Sequence, residues 1–438
     1  MAHITKKSDK LNFWSVTALV IGSQIGSGIL VLPSSLAQYG FLAIWGWVLA
    51  SFGAIALACV FANLSSWIPR TGGASRYIEV AFGRKTAFFV GWTYWVISWA
   101  STIVVIKACV AYLAPILGKH SSVENLVIEV GIMLFIISIN LRGLRTAGLI
   151  EVILTSLKIF TFLAVPIIGI CFFDSKNFVQ SEVVLEQGLA LNISKVLLLT
   201  MWGFIGLETG TTPASSVDNP SKIIPRATIF GTVCVAVLYL LNNIVVMGVV
   251  PGSELAMSSA PYAAAAQIIL GPNWYVGISL ISAIIFIGTA NSWSLASSQI
   301  ALGLAEDGLM PKFFASKNRF GSPYISILIS CGCIIPGLAL TMSDSIAAEI
   351  ERVMDLSVVA FLCIYVSCII AFFKISIGRG KVDVWSFIAG IVAFFVCGFI
   401  ICKSSLQGLM FTAFFVISGF PVYIWMQKQD RKITTPLS

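Results

Sequence analysis

The chain has 438 residues, of which 58% are hydrophobic and only 11% are charged, and its formal net charge is +8. Soluble globular proteins carry roughly 25% charged residues, so this composition excludes an ordinary soluble domain and a disordered chain, and it predicts an integral membrane protein. The positive charge does not indicate a nucleic-acid partner, because the basic residues lie in short clusters between apolar runs, as they do in cytoplasmic loops.

Twelve apolar segments are long enough to cross about 30 Å of hydrocarbon, which takes roughly 20 helical residues each. Their continuous apolar character favours helices over barrel strands. The sequence therefore predicts an all-α integral membrane protein with about 12 transmembrane helices. Numbered in chain order, spans 1 to 12 are 12–37, 41–67, 87–115, 124–141, 148–172, 194–216, 228–250, 275–303, 323–342, 351–373, 384–402 and 407–427.

The distribution of Lys and Arg predicts the orientation. With the amino terminus inside, 20 of the 27 basic residues fall in cytoplasmic segments and 5 in outer segments, while Lys107 and Lys158 lie within spans. Cytoplasmic loops of membrane proteins carry the excess of positive charge. We therefore expect a multi-pass protein of the cell membrane with both termini in the cytoplasm.

Two glycine clusters interrupt spans 1 and 6. Gly26-Ser27-Gly28 breaks span 1, and Gly203, Gly206 and Gly210 break span 6. Since five helices separate the breaks, the second half would enter the membrane from the opposite side, which is typical of transporters with inverted repeats. We predict a single transporter domain with a first repeat at 12–172, a second at 194–373 and two additional helices at 384–427.

The break in span 1 is a candidate substrate site. Glycines within Gly22 to Gly28 tolerate non-helical dihedral angles and free backbone N–H groups, and a carboxylate facing the start of the next half-helix satisfies them. Close helix packing through small residues is the alternative. The matching break in span 6 favours a site, and no Gly-Lys-Ser/Thr follows that would indicate a phosphate loop.

The break in span 6 carries an acidic residue. A carboxylate inside a membrane helix is costly unless it is paired or hydrated, so Glu208 is a functional candidate, with pairing to a structural Lys as the alternative. Carbonyl groups around Ile205 can accept an ammonium group, and Trp202 can cover the substrate as a gate.

Two further residues inside spans are candidates. Trp293 in span 8 offers a flat face to a cation, although it can equally be a core aromatic. Lys158 lies about ten residues into span 5 and is expected to face a cavity. Lys107, nearer the outer end of span 3, is expected to snorkel to the interface. Asp355 pairs with Arg352 or faces an outer vestibule, and the sequence does not separate these roles.

Other classes of function lack their signatures. All ten Cys fall in apolar segments, both His lie outside them, and no metal-ligand spacing occurs, so we expect no metal, no cofactor and no catalytic constellation. A channel would need a pore lined by rings of charge, and a receptor would need a signalling domain. The sequence therefore favours a secondary active transporter.

Four groups of residues along the chain form recognisable motifs. They are Ile25-Gly26-Ser27-Gly28-Ile29 with Leu32-Pro33, Trp202 to Glu208, Asn219-Pro220 with Ile224-Pro225, and Ala305-Glu306-Asp307-Gly308 with Pro311. Together these motifs resemble those of the amino acid–polyamine–organocation superfamily, and within it the bacterial basic amino acid/polyamine antiporters, such as the arginine/agmatine and putrescine/ornithine exchangers, are most similar. The resemblance implies a LeuT-like fold of five plus five inverted helices in a bacterial inner membrane, and it leaves a homodimer open.

The same resemblance implies roles for individual residues. Ser27 and Gly28, next to Ile25, would bind the substrate carboxylate, and the backbone of Trp202 and Ile205 would take the α-ammonium group. Trp293 would stack on the substrate side chain, with Ser357 nearby. Glu208 would link transport to protons.

Two departures keep the substrate open. The arginine exchangers carry an Asn on the third helix where this chain has Ser101-Thr102, which weakens an arginine assignment and leaves Thr102 as the candidate contact. Lys158 resembles the Lys that replaces a sodium ion in sodium-independent, proton-coupled transporters, where a carbonyl near Gly22 and a hydroxyl of Ser297 or Ser298 would hold it. Two transport modes therefore remain open. One is exchange of amino acids, including a basic amino acid for an amine, and the other is proton symport of broad or neutral specificity.

Overall fold

The computed structural model describes residues 11–434 except 71, 119–120, 143, 182–183, 185, 187, 215–216, 343–345 and 381–382. The described residues form helices joined by short connections, and the only β pairing among them is two isolated bridges. This confirms the predicted all-α fold class.

Between residues 13 and 169, the described residues form nine α-helices. Long apolar runs form the long helices, and glycines lie at many of the boundaries, as at Gly40, Gly73 and Gly83. The nine are α1 Phe13–Gln24, α2 Ser27–Leu30, α3 Leu32–Ala37, α4 Phe41–Trp67, α5 Ala74–Phe82, α6 Arg84–Ala100, α7 Thr102–Leu117, α8 Ser122–Leu141 and α9 Leu144–Gly169.

The part of the chain from 189 to 434 that the structure describes contains ten more α-helices. They are α10 Leu189–Trp202, α11 Pro220–Val249, α12 Gly252–Met257, α13 Pro261–Leu270, α14 Trp274–Glu306, α15 Tyr324–Leu340, α16 Ile346–Arg379, α17 Val384–Lys403, α18 Leu406–Ser418 and α19 Phe420–Thr434.

Nine helical stretches among the described residues are long and apolar enough to cross a membrane, so the protein is a multi-pass membrane protein. The other three predicted spans are broken or shorter: span 1 is divided into α1, α2 and α3, span 6 contains the 14-residue α10, and span 9 is the 17-residue α15. The count of twelve and the cytoplasmic placement of the termini stay predictions. The extreme ends, 1–10 and 435–438, lie outside the described residues.

Both predicted helix breaks are present. The first helix stops at Gln24, Ile25 is extended at φ −73° and ψ 109°, and α2 starts at Ser27. Helix α10 stops at Trp202, and turns lead to a short 3₁₀ helix at Thr209–Thr211. These interruptions leave backbone N–H and C=O groups without their partners in the helix. Such groups are tolerated only in the protein interior, because lipid cannot form hydrogen bonds with them.

The packing places both breaks in the interior. Helix α1 packs on α11, α11 packs on α4, and α14 packs along α7 and α9. Two helical stretches are mostly exposed. In the most apolar part of Ser122–Leu141 only 17% of the residues are buried, and in that of Leu406–Gln429 only 11% are, so both stretches face the lipid. These two stretches therefore lie at the periphery of the helix bundle, and both helix breaks lie in its interior.

Candidate functional site

A small cavity lies where the two helix breaks meet. Its volume is about 20 Å³, which accommodates roughly one water molecule and no amino acid. The cavity must therefore widen before a substrate of that size can enter. Its lining residues are Ser23, Gln24, Gly26, Ser27, Ser101, Val105, Trp202, Ile205, Thr289 and Trp293.

The structure brings some of the predicted substrate contacts together around this cavity. Four of them line it, namely Ser27, Trp202, Ile205 and Trp293. The other four are buried without being among its lining residues, namely Ile25, Gly28, Thr102 and Ser357.

The adjacent Ser101 lines the cavity in place of Thr102. The backbone is helical at Ser101, with φ −65° and ψ −22°, and successive residues of a helix point in different directions. Sequence reasoning also missed Thr289, which lines the cavity from α14 one helical turn before Trp293. That i, i+4 spacing on one helix face was the available signal.

Side-chain hydrogen bonds hold the two breaks against each other. The Trp202 indole donates to Ser27 Oγ at 2.8 Å, and Ser23 Oγ donates to the carbonyl oxygen of Gly206 at 3.0 Å. On the other side, the Tyr239 hydroxyl donates to the carbonyl oxygen of Gln24 at 2.6 Å. Carbonyl groups released by the interrupted helices are thus satisfied by neighbouring side chains.

Gly206 permits this close approach. Its φ is +106°, a conformation that L side chains rarely adopt, and a Cβ atom there would lie 3.2 Å from both Ser23 Oγ and the Trp293 ring. Any larger residue would therefore be strained and would separate α1 from the unwound segment that follows α10.

The Glu208 carboxylate is fully buried next to the cavity. One oxygen accepts from the Tyr94 hydroxyl at 3.0 Å, and the other accepts from the Tyr365 hydroxyl at 2.6 Å and from the Gly206 N–H at 3.2 Å. Among the described residues its hydrogen-bond donors are therefore two tyrosines and the backbone, and they include no lysine. Donors of this kind stabilise a carboxylate without fixing a permanent opposite charge beside it.

An aromatic cluster connects Glu208 with the cavity. The Phe361 ring lies 5.6 Å from the Trp293 ring and 6.2 Å from the rings of both Tyr94 and Tyr365, measured between centroids. Phe361 is therefore in ring contact both with a residue that lines the cavity and with the two tyrosines that donate to the carboxylate.

Lys158 is completely buried and bridges three helices. Its ammonium group on α9 donates to the carbonyl oxygen of Gly22 and to Thr289 Oγ1, both at 3.0 Å. The expected carbonyl near Gly22 is thus present. The hydroxyl comes from Thr289, two turns before the expected serines, because Ser297 and Ser298 donate to carbonyl groups of their own helix.

The expectation that Lys107 snorkels to the interface is wrong. Its side chain is 3% exposed, and its ammonium nitrogen lies 3.6 Å from Glu129 Oε1 on α8, whose side chain is also 3% exposed. A carboxylate at the same depth on the neighbouring helix removes the need for the lysine to reach the interface. The signal that sequence reasoning missed was a Glu inside apolar span 4.

Asp355 lines a second cavity of about 500 Å³, together with Lys195 and Lys403. This placement agrees with the vestibule alternative. The Arg352 side chain, the other expected partner, lies outside the described side chains.

Comparison with known proteins supplies an independent finding. A family model described as amino acid permease matches residues 11–427. The chain is 26% identical to the putrescine transporter PotE of Escherichia coli strain K12 over 423 residues, which cover 95% of this chain and 96% of the relative. It is 29% identical to PotE of Haemophilus influenzae over 362 residues, covering 81% and 82%. It is 30% identical to a cadaverine/lysine antiporter of Escherichia coli over 334 residues, covering 73% and 72%.

Proposed function

The chain belongs to the amino acid permease family, and from this premise we propose that it is a secondary active transporter that exchanges amino acids or amines across the membrane by alternating access. The family and the relatives named above are transporters and not enzymes. The observation that carries the proposal is the nearly closed cavity between two interrupted helices, since a site of about 20 Å³ at their meeting point binds substrate only if the helices move.

The cavity offers complementary groups to an amino acid. In our proposal the backbone N–H groups of Ser27 and Gly28, at the start of α2, take the carboxylate. The backbone of Trp202 and Ile205 takes the α-ammonium group. Ile25, Thr102 and Ser357 would join the site as it widens.

We infer a cationic side chain or amine for the rest of the substrate. Trp293 presents an aromatic face that attracts a cation when water is excluded, and the buried carboxylate of Glu208 lies behind Phe361. Putrescine, cadaverine and lysine, which the names of the relatives contain, are all cationic.

Glu208 is the proposed link to protons. Its contact with the Gly206 N–H couples the charge of the carboxylate to the unwound backbone that lines the site. Protonation would neutralise the carboxylate and so weaken its hydrogen bonds from Tyr94, Tyr365 and the Gly206 N–H, which would loosen that segment.

A sodium-independent, proton-coupled symporter is the second candidate. The contacts of Lys158 with Gly22 and Thr289 favour it, because a fixed ammonium between α1 and α14 leaves no role there for a sodium ion. Symport and exchange differ in whether uptake requires substrate on the opposite side.

Counterflow into proteoliposomes tests the proposal. Vesicles loaded with unlabelled lysine or putrescine should take up labelled lysine faster than empty vesicles if the protein is an exchanger, and alanine-loaded vesicles should behave like empty ones if the substrate must be cationic. Uptake that depends on a proton gradient and ignores internal substrate would support the symporter. Passive, non-saturable flux would overturn both proposals and indicate a channel. Competition by lysine amide as strong as that by lysine would refute the carboxylate role of Ser27 and Gly28 alone.

A further inference from the structure

A large groove lies away from the substrate cavity, between α6, α16 and the α18–α19 helices. Its volume is about 490 Å³, within the range of roughly 300–1,000 Å³ found for small-ligand sites. Residues that represent its three walls are Lys85 and Val90 on α6, Ile364 and Ser367 on α16, and Thr412 and Phe420 on α18 and α19.

The walls of this groove suit a hydrocarbon chain better than a polar solute. The hydroxyl groups of Thr93, Ser367 and Thr412 each donate to a carbonyl group one turn earlier on their own helix, at 2.8–2.9 Å. Their hydrogens are therefore already engaged, and the surface that remains is mainly methyl, methylene and aromatic. A polar substrate would lose its hydration there without compensation.

One end of the groove carries a charge. Among its described lining residues Lys85 alone is charged, and it is exposed at the start of α6. The loop bias of Lys and Arg predicts that this end faces the cytoplasm, where the leaflet is negatively charged. The opposite wall is formed by Leu406–Gln429. Only 11% of the most apolar part of this stretch is buried, so the groove opens towards lipid.

We propose that this groove binds an anionic glycerophospholipid, with an acyl chain between α6, α16 and α18 and its phosphate at Lys85. Apolar walls, a lipid-facing opening and a single cation at the headgroup end match the two parts of such a molecule. The proposal concerns binding and stands independently of the transport proposal.

The groove lies behind the tyrosines that hold Glu208. Thr93 and Ile364 line the groove, and their chain neighbours Tyr94 and Tyr365 donate to the carboxylate. An acyl chain that fills the groove therefore packs on the same two helix segments that position these hydroxyl groups. Lipid occupancy would set how firmly α6 and α16 hold the carboxylate.

Native mass spectrometry of the full-length protein tests the binding. The protein is released from nanodiscs of phosphatidylcholine doped with phosphatidylglycerol, and retained lipids are counted. We expect phosphatidylglycerol to be retained preferentially. Lys85→Ala should reduce its retention by about fivefold, the change that corresponds to one lysine attracting an anionic lipid surface. The matched control is Lys312→Ala, which removes an exposed basic residue outside the groove and should leave retention unchanged.

A second pair of variants tests the apolar part of the site. Val90→Trp fills the groove and should abolish the retained lipid, whereas Leu134→Trp, at a lipid-facing position of α8, should not. Retention of the two lipids by the wild type in proportion to their shares of the nanodisc, or equal retention of phosphatidylglycerol by Lys85→Ala and Lys312→Ala, would overturn the proposal. A dimer that Val90→Trp dissociates would overturn it as well, because a second copy of the chain would then occupy the groove.

Discussion

The Tyr365 hydroxyl donates a 2.6 Å hydrogen bond to the Glu208 carboxylate, although 157 positions separate the two residues in the chain. Tyr365 lies in the middle of α16 and Glu208 in the unwound segment after α10, so this bond ties a continuous helix to a broken one. A continuous helix resists local rearrangement, whereas the unwound segment can change its dihedral angles. Protonation of Glu208 therefore alters the attachment of the unwound segment to the continuous helix α16.

Tyr365→Phe should slow exchange while the protein remains folded. A hydrogen bond to a charged group contributes about 1.5–3 kcal/mol, so the expected loss is about 10- to 150-fold. The measurement is the initial rate of counterflow in proteoliposomes across a series of pH values. The matched control is Tyr262→Phe, which removes a buried 2.6 Å bond to Asn242 that lies outside this site.

A double-variant cycle separates positioning from general damage. Because Tyr365 acts through the carboxylate, Tyr365→Phe combined with Glu208→Gln should exchange no more slowly than Glu208→Gln alone. Additive losses would contradict a role through Glu208.

Trp293→Leu should weaken binding of cationic substrates by about 1–2 kcal/mol, which is the contribution of a desolvated cation on an aromatic face. Trp293→Phe keeps an aromatic face and should lose less. Binding is measured by isothermal titration of the purified protein with lysine and with alanine. If the two substrates lose affinity equally, Trp293 only packs against Phe361 and does not recognise charge.

Replacing only one residue of the Lys107–Glu129 pair should destabilise the protein, whereas replacing both with apolar residues should not. Removing one partner of a buried pair leaves an uncompensated charge and costs about 3–5 kcal/mol, whereas apolar replacement of both is often neutral. Lys107→Met should therefore lower the melting temperature in detergent, and Lys107→Met with Glu129→Leu should restore it. The exposed pair Lys317–Glu306, whose side chains are 50% and 47% accessible, is the control, and Glu306→Gln should have little effect. A double variant less stable than Lys107→Met would contradict this account.

This pair also shows what the sequence predicts and what it does not. Glycine clusters inside apolar runs predicted both helix breaks, because matching clusters in spans 1 and 6 favour a pair of interrupted helices over close packing through small residues. The depth of Lys107 in its span suggested snorkelling, but the helix that α7 packs against decides its partner, and packing is not visible in one sequence. Tyr94 and Tyr365 were missed for the same reason, since a tyrosine in an apolar span is unremarkable until its hydroxyl is seen to meet Glu208.

Two loop carboxylates should show opposite pH dependence. Burial raises the pKa of Asp307 above its ordinary value of 3.8, although Arg76 at 2.9 Å opposes this. The stability that Asp307 contributes is therefore fully present below pH 3.8 and is lost as the pH rises through its raised pKa. Hydrogen bonds from Ser386 lower the pKa of Asp383, so its contribution is present above pH 3.8 and is lost as the pH falls through the lowered pKa.

Melting temperatures in detergent at a series of pH values test these signs. Asp307→Asn should become more stable relative to wild type as the pH rises through the window above 3.8. Asp383→Asn should become less stable relative to wild type as the pH rises towards 3.8. Differences of the same sign for the two variants would show that burial does not govern Asp307.

Lys158 provides the sharpest test of the coupling ion. At this depth its ammonium group needs oxygen acceptors, and the carbonyl oxygen of Gly22 and the hydroxyl oxygen of Thr289 provide two of them. The Thr289 hydroxyl, whose one hydrogen has the carbonyl oxygens of Ile25 at 3.2 Å and Ile285 at 3.1 Å as acceptors, also connects the lysine to the break that lines the cavity. Loss of its charge would loosen the contact between α1 and α14 and favour one facing state.

Wild-type exchange should therefore depend on pH and be unaffected when choline replaces sodium. Lys158→Met should remain inserted and lose part of the pH dependence. Thr289→Val removes one oxygen but keeps the charge, so it should slow exchange, by about 10-fold or more for a hydrogen bond to a charged group, while retaining the pH profile. Uptake that requires sodium, or a Lys158→Met protein with the wild-type pH profile, would show that Lys158 only stabilises the packing of α9 against α1 and α14.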